Sequence, residues 1–173
     1  MKIIDDILDV SRVITGKFRL DARPVDLVSI AREALEVVRP SATAKKIALE
    51  LSTHAPESVL VADPERLQQV IWNLLSNAVK FTDSGGKIQL SVRAKDSNLV
   101  LQVRDDGKGI DPQHLKAGRA RHWGLTNMRE RAQQIGSELR LWSEVGVGTE
   151  VELRIPGALA YGPAHRRGSL ANR

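Results

Sequence analysis

Residues 63–81 leave this chain the least conformational freedom. Asp63, Pro64 and Glu65 supply a helix cap, a proline at the first helical position and an acid in the first turn. The pattern behind them carries a helix to about Phe81. Leu67, Ile71, Leu74 and Ala78 line one stripe of it. Asn73, Asn77 and Lys80 recur at i, i+4 and i+7 and line a second stripe, rotated by about a third of a turn. A helix with an apolar stripe and a polar one beside it needs a layer to lie on.

The flanking segments provide that layer. IALEL (47–51) and SVLVA (58–62) read as strands, as do the alternating KIQLSVRA (87–94) and LVLQVRD (99–105). DSGG (83–86) and residues 96–98 are turns. ELRLWSE (138–144) and TEVELRI (149–155) form a closing pair around Gly146-Val147-Gly148. Leu20 to Pro24 read as a linker into a helix from Asp26, whose face holds Ile30, Ala34, Leu35, Val37 and Val38 and which Pro40 and Ser41 interrupt. A further helix runs from about Gly124 to Ile135 and stops at Gly136. Blocks of helix and antiparallel-looking strand make this an α+β chain, a two-layer α/β sandwich with helices on one face of a mixed sheet.

The ends differ from the middle. Ile4, Ile7, Ser11, Ile14 and Phe18 give residues 1–19 the alternating three-and-four spacing of an a/d seam. Five seam positions need a partner, either the sandwich or a second copy of the same helix. Residues 157–173 lack periodicity and read as a disordered tail. The 173 residues contain no cysteine, which excludes disulfides and thiolate metal sites and fits a reducing cytoplasm. No apolar run reaches the ~20 residues of a membrane span. The expectation is a cytoplasmic chain, with a parent that can still be membrane-anchored. The net charge of +5 is dispersed and lacks an aromatic-plus-basic stacking pattern, so nucleic acid is not expected as a partner.

Four short motifs carry the chemistry. Two carboxamides and an ammonium on one helical stripe can hold a metal–phosphate group, with amide oxygen as a hard ligand and lysine as a point charge; a solvated face is the plainer reading. Asp105-Asp106-Gly107-Lys108-Gly109-Ile110 ends a strand in an acid and Gly-x-Gly. Its carboxylate can accept from an exocyclic amine such as that of adenine, or the motif is an ordinary Asp-Gly turn. Gly124-Leu125 opens a helix whose free N–H groups suit phosphate. Arg119, Arg121 and His122 precede it and either clamp phosphates or are solvated. Gly146-Val147-Gly148-Thr149 is by itself a hairpin turn. No GxxxxGK[ST] loop is present, so a Walker-type site is excluded.

In this order the motifs resemble the boxes of the histidine-kinase branch of the GHKL ATPase superfamily. NLLSNAVKFT is similar to the N box, DDGKGI to the G1 box, HWGLTNM to a G2 box and GVGT to the last glycine box. The resemblance implies a Bergerat-type ATP-binding fold over residues 24–156 that takes ATP and Mg²⁺ as a kinase catalytic domain. It implies Asn77 as the Mg²⁺ ligand, with Asn73 and Lys80 as catalytic residues that also contact phosphates or ribose. It gives Asp105 to the adenine amine, and Gly107, Gly109 and Ile110 to the pocket wall. Gly124 and Leu125 fall to the lid hinge and Thr149 to the adenine end, while Arg121, which stands where the family has a glycine, and His122 stay nucleotide-binding candidates on their charge alone.

Residues 1–23 resemble the second half of a dimerisation and histidine-phosphotransfer hairpin. None of His54, His114, His122 and His165 lies in a phosphoacceptor motif, so autophosphorylation is not expected of this chain. The resemblance implies a separate hairpin and a response regulator as partners, and possible homodimers through residues 1–19. From about Pro112 the sequence changes to resemble kinases that serve LuxR-type regulators, with a short lid and no phenylalanine box. That change points to a chimera or an atypical member. The competing readings are a non-catalytic nucleotide-binding or dimerisation module and a serine kinase of the anti-sigma type.

Overall fold

The computed structural model describes residues 21–110 and 123–157. The helix expected over 1–19 and the tail beyond 157 lie outside those residues, as do Arg119, Arg121 and His122.

A short strand, β1 (Arg23–Asp26), leads into helix α1 (Leu27–Ala44). β2 (Ala48–His54) and β3 (Val59–Ala62) follow, then α2 (Pro64–Phe81), β4 (Lys87–Lys95) and β5 (Asn98–Asp105). α3 (Trp123–Gln134), β6 (Glu138–Glu144) and β7 (Gly148–Ile155) complete the described chain. Five strands make one sheet in the order β2-β4-β5-β7-β6. Only β2 with β4 runs parallel among its neighbours; the other pairs are antiparallel.

Strand alternation sets the layers. Ile88, Leu90 and Val92 of β4, Leu99, Leu101 and Val103 of β5, and Val151, Leu153 and Ile155 of β7 are buried. They meet Leu27, Ala31, Leu35 and Val38 of α1 and Leu67, Ile71, Leu74 and Leu75 of α2 in one core. The expected two-layer sandwich on a mixed sheet is what forms, with aliphatic side chains filling it.

Two expectations fail locally. Arg23 and Pro24, expected in a linker, open a strand that runs to Asp26. It pairs with β3 in a separate two-stranded ribbon, where Pro24 is tolerated because an edge strand needs fewer donors. Pro40 does not interrupt α1, which continues to Ala44. It lies near the end of the helix and costs one backbone bond there, while Ala42 two residues beyond is buried and its carbonyl accepts from Ile47.

Both long helices are capped as their first residues suggest. The Asp63 carboxylate accepts from the N–H groups of Glu65 and Arg66, at 3.1 and 3.2 Å. Asp26 caps α1 by accepting from Val28 N–H at 3.1 Å and from the hydroxyls of Ser29 and Ser58. Burial pushes the Asp26 carboxyl up, but those donors outweigh it and hold the group below its ordinary value.

Candidate functional site

The site grows from the C-terminal half of α2. Asn73 is buried and Asn77 half-buried, whereas Lys80 is exposed with its Nζ 5.1 Å from the Phe81 ring centroid. The polar stripe therefore runs from core to solvent within two turns. The Asn77 amide nitrogen donates to Met128 Sδ of α3 at 3.5 Å, a weak contact that leaves the carbonyl oxygen on the other side of the group.

The end of α2 is held by a residue outside every motif. Lys45, just past α1, donates from its ammonium to the carbonyls of Val79 (2.7 Å), Lys80 (3.2 Å) and Thr82 (2.7 Å). A cation on the last carbonyls of a helix satisfies orphan acceptors and the negative end of the dipole together. The sequence shows only one of two adjacent lysines, with nothing to mark it.

The acid-glycine turn after β5 joins this helix end. Lys108 N–H donates to Phe81 O at 3.4 Å, and a Cβ on Gly107 would lie 2.6 Å from the same oxygen. Asp105 is buried at the end of β5, where its Oδ1 accepts from Gly107 N–H at 3.0 Å. Burial pushes its carboxyl above the ordinary value, against backbone N–H groups of Gly107 and Thr149 that pull it down. Asp106 is turned elsewhere, accepting from Lys87 N–H at 2.7 Å.

The β6–β7 hairpin closes the arrangement. Gly109 has φ +69°, and a Cβ there would sit 2.0 Å from Glu144 O; Gly148, at φ +131°, would place one 2.0 Å from Asp105 O. These glycines are required by contact between backbones, and they let the turn lie against the hairpin. Gly146 N–H donates to Lys108 O at 2.9 Å, and Ile110 N–H to Ser143 Oγ at 2.8 Å. Ser143 also meets the Thr149 hydroxyl at 2.9 Å. Asp105, Thr149 and Ser143 are direct cross-strand partners on β5, β7 and β6, so they form one polar row on the helix-covered face. Ser143 too escaped the sequence reading; strand parity alone shows it once the pairing is known.

Gly124 and Leu125 lie in the first turn of α3, whose buried Met128 and Ala132 pack in the same core as α2. The N, G1 and last glycine boxes thus converge at one end of the sandwich, with α3 against α2 beside them. The groups fit a magnesium nucleotide: a buried carboxylate, a half-buried carboxamide whose oxygen can serve a hard cation, and an exposed ammonium. Among the described residues no cluster of three His, Cys, Asp or Glu offers a competing metal site. No described helix is long and apolar enough to cross a membrane.

Comparison with known proteins bears on the family and the fold. Residues 62–159, more than half of the chain, match the family "Histidine kinase-, DNA gyrase B-, and HSP90-like ATPase". The circadian input-output histidine kinase CikA of Synechococcus elongatus is 32% identical over 99% of this chain and 25% of its own length. The histidine protein kinase DivJ of Caulobacter vibrioides is 31% identical over 92% of this chain and 29% of its length. The chain thus spans about a quarter of these relatives. Full-length ShkA, solved in complex with AMPPNP, superposes with a TM-score of 0.76 at 27% identity, over 90% of this chain and 35% of that one. The catalytic domain of the histidine kinase ThkA gives 0.71 at 20% identity, over 79% of this chain and 97% of that one, a likeness of fold.

Such alignments run through both halves of the chain, so the change of character near Pro112 finds no support as a chimera. That the relatives are kinases does not favour the non-catalytic module. The chain belongs to the histidine kinase-, DNA gyrase B- and HSP90-like ATPase family, as an ATP-binding catalytic domain of the sensor histidine kinase type.

Proposed function

We propose that the converged site binds ATP with Mg²⁺ and presents the γ-phosphoryl group to a histidine carried by a separate phosphotransfer hairpin. The observation that supports this is the junction of Asp105, Thr149 and the end of α2, which brings a buried carboxylate to the helix that carries Asn73, Asn77 and Lys80. Asp105 accepts from the adenine amine. Asn77 supplies the oxygen ligand for Mg²⁺, which neutralises phosphate charge when bound. Asn73 and Lys80 hold phosphate or ribose. Gly107, Gly109 and Ile110 form the wall, Gly124 and Leu125 the hinge of a lid that includes Arg121 and His122, and Thr149 supports the adenine end.

Asn73 carries a carboxamide, which cannot act as a base to activate water. Positioning and charge neutralisation are what these residues can do, which suits transfer to an imidazole better than hydrolysis. The unit comprises residues 24–156. Residues 1–23 belong to a dimerisation hairpin through which two chains pair, and the eventual acceptor is a response regulator in the cytoplasm. The test is to mix this chain and Mg·ATP with a separately made hairpin bearing the acceptor histidine. Acid-labile phosphate on the hairpin supports the reading. Nucleotide binding without transfer, with any hairpin tried, contradicts the catalytic part of it.

A further inference from the structure

The row of Asp105, Thr149 and Ser143 contains a hydrogen-bond arrangement with one consistent proton assignment. Ser143 Oγ accepts from Ile110 N–H at 2.8 Å, and it lies 2.9 Å from Gly148 O and 2.9 Å from Thr149 Oγ1. A serine hydroxyl has one proton and two lone pairs. The Gly148 carbonyl can only accept, so Ser143 gives it the proton. The Ile110 amide occupies one lone pair, and the remaining contact is satisfied only when Thr149 donates to Ser143. The Thr149 proton is then committed toward β6, and the hydroxyl turns only lone pairs to its other side.

On that other side is the direct cross-strand partner, Asp105, whose carboxylate accepts from the backbone N–H of Gly107 and Thr149. Ser143 thus makes the neighbouring hydroxyl an acceptor beside an acceptor. Two acceptors facing the 6-position match the two N–H bonds of an amine there and oppose the lone pairs of a carbonyl. The discrimination is the kind that buried polar groups impose when one partner is wrong.

We infer that Ser143 is a positioning residue for base selection: by taking the Thr149 proton it makes the site prefer a 6-amino purine over a 6-oxo purine. Resting on the nucleotide reading above, it adds a residue that touches neither base nor phosphate. Without Ser143 the Thr149 hydroxyl rotates and can donate to a 6-oxo group. The same serine tethers Ile110, so its loss also loosens the turn after Asp105, an effect expected equally for both bases.

Calorimetric titration with Mg·ADP and Mg·IDP, which differ in the 6-substituent and in the proton on the adjacent N1, separates the two effects. Wild type should prefer ADP. Ser143→Ala should reduce the ratio of the two dissociation constants about tenfold, and Ser143→Thr, which keeps the hydroxyl, should restore it. Thr149→Val should reproduce the loss, and adding Ser143→Ala to it should change the ratio no further, because Ser143 acts through Thr149. Should Ser143→Ala unfold, Ser143→Cys keeps the volume with a weak donor and acceptor and reads the same ratio. A ratio that holds while both affinities fall together overturns the inference and leaves the nucleotide site standing. A folded wild type that binds no ADP overturns both.

Discussion

At the scale of single residues, Asp105 is set between two opposing requirements. Its carboxylate must be buried to select an amine sharply, and burial raises its pKa. Between the unfolded value, near 3.9, and the raised folded value, the native state holds more protons than the unfolded one. Stability therefore falls as pH climbs through that window and stays lower above it. Asp105→Asn removes the titration. Chemical denaturation at about pH 4.5 and about pH 7.5 should show the variant gaining on wild type at the higher pH, while it loses ADP binding. A gap that shrinks with rising pH would contradict the assigned shift. Asp105 and Gly107 stand out in the sequence through their order among the other motifs, since an acid and a glycine at a strand end alone also make an ordinary Asp-Gly turn. Ser143 does not, because its role exists only after β6 and β7 pair and Thr149 becomes its opposite number.

At the scale of elements, the two ends of α2 are secured in different ways. The start is local, Asp63 reaching two and three residues forward to Glu65 and Arg66, and so could be read from spacing. The end is not local, because Lys45 arrives from beyond α1 to take three carbonyls. Nothing within α2 announces that partner. Lys45→Met should leave those carbonyls without their cation and destabilise the fold by about 2 kcal/mol, readable from the denaturation midpoint at unchanged slope. An unchanged midpoint would mean that water replaces the ammonium at no cost. The strand β1 and the continuation of α1 past Pro40 escaped the sequence for a related reason. Pairing with β3 and burial of Ala42 are tertiary gains that override local preference.

At the scale of the whole molecule, the sandwich was the most legible feature. Period-two alternation in β4, β5 and β7 and the apolar stripe of α2 each specify which face is covered, and they agree. What alternation cannot specify is strand order, in which β7 rather than β6 lies against β5. That order brings Thr149 to Asp105 and so assembles the site. The proposed pairing of two chains through Ile4, Ile7, Ile14 and Phe18 belongs to this scale too. Sedimentation should find a dimer that Ile7→Asp with Ile14→Asp converts to monomer, and a monomeric wild type would exclude it. The nucleotide site is tested most directly by calorimetric titration of Mg·ADP into wild type, Asn77→Ala and Asp105→Ala, with circular dichroism to confirm that each is folded. Saturable binding by wild type that both substitutions abolish is the predicted result. Binding that survives either substitution, or a folded wild type that binds nothing, would contradict the site.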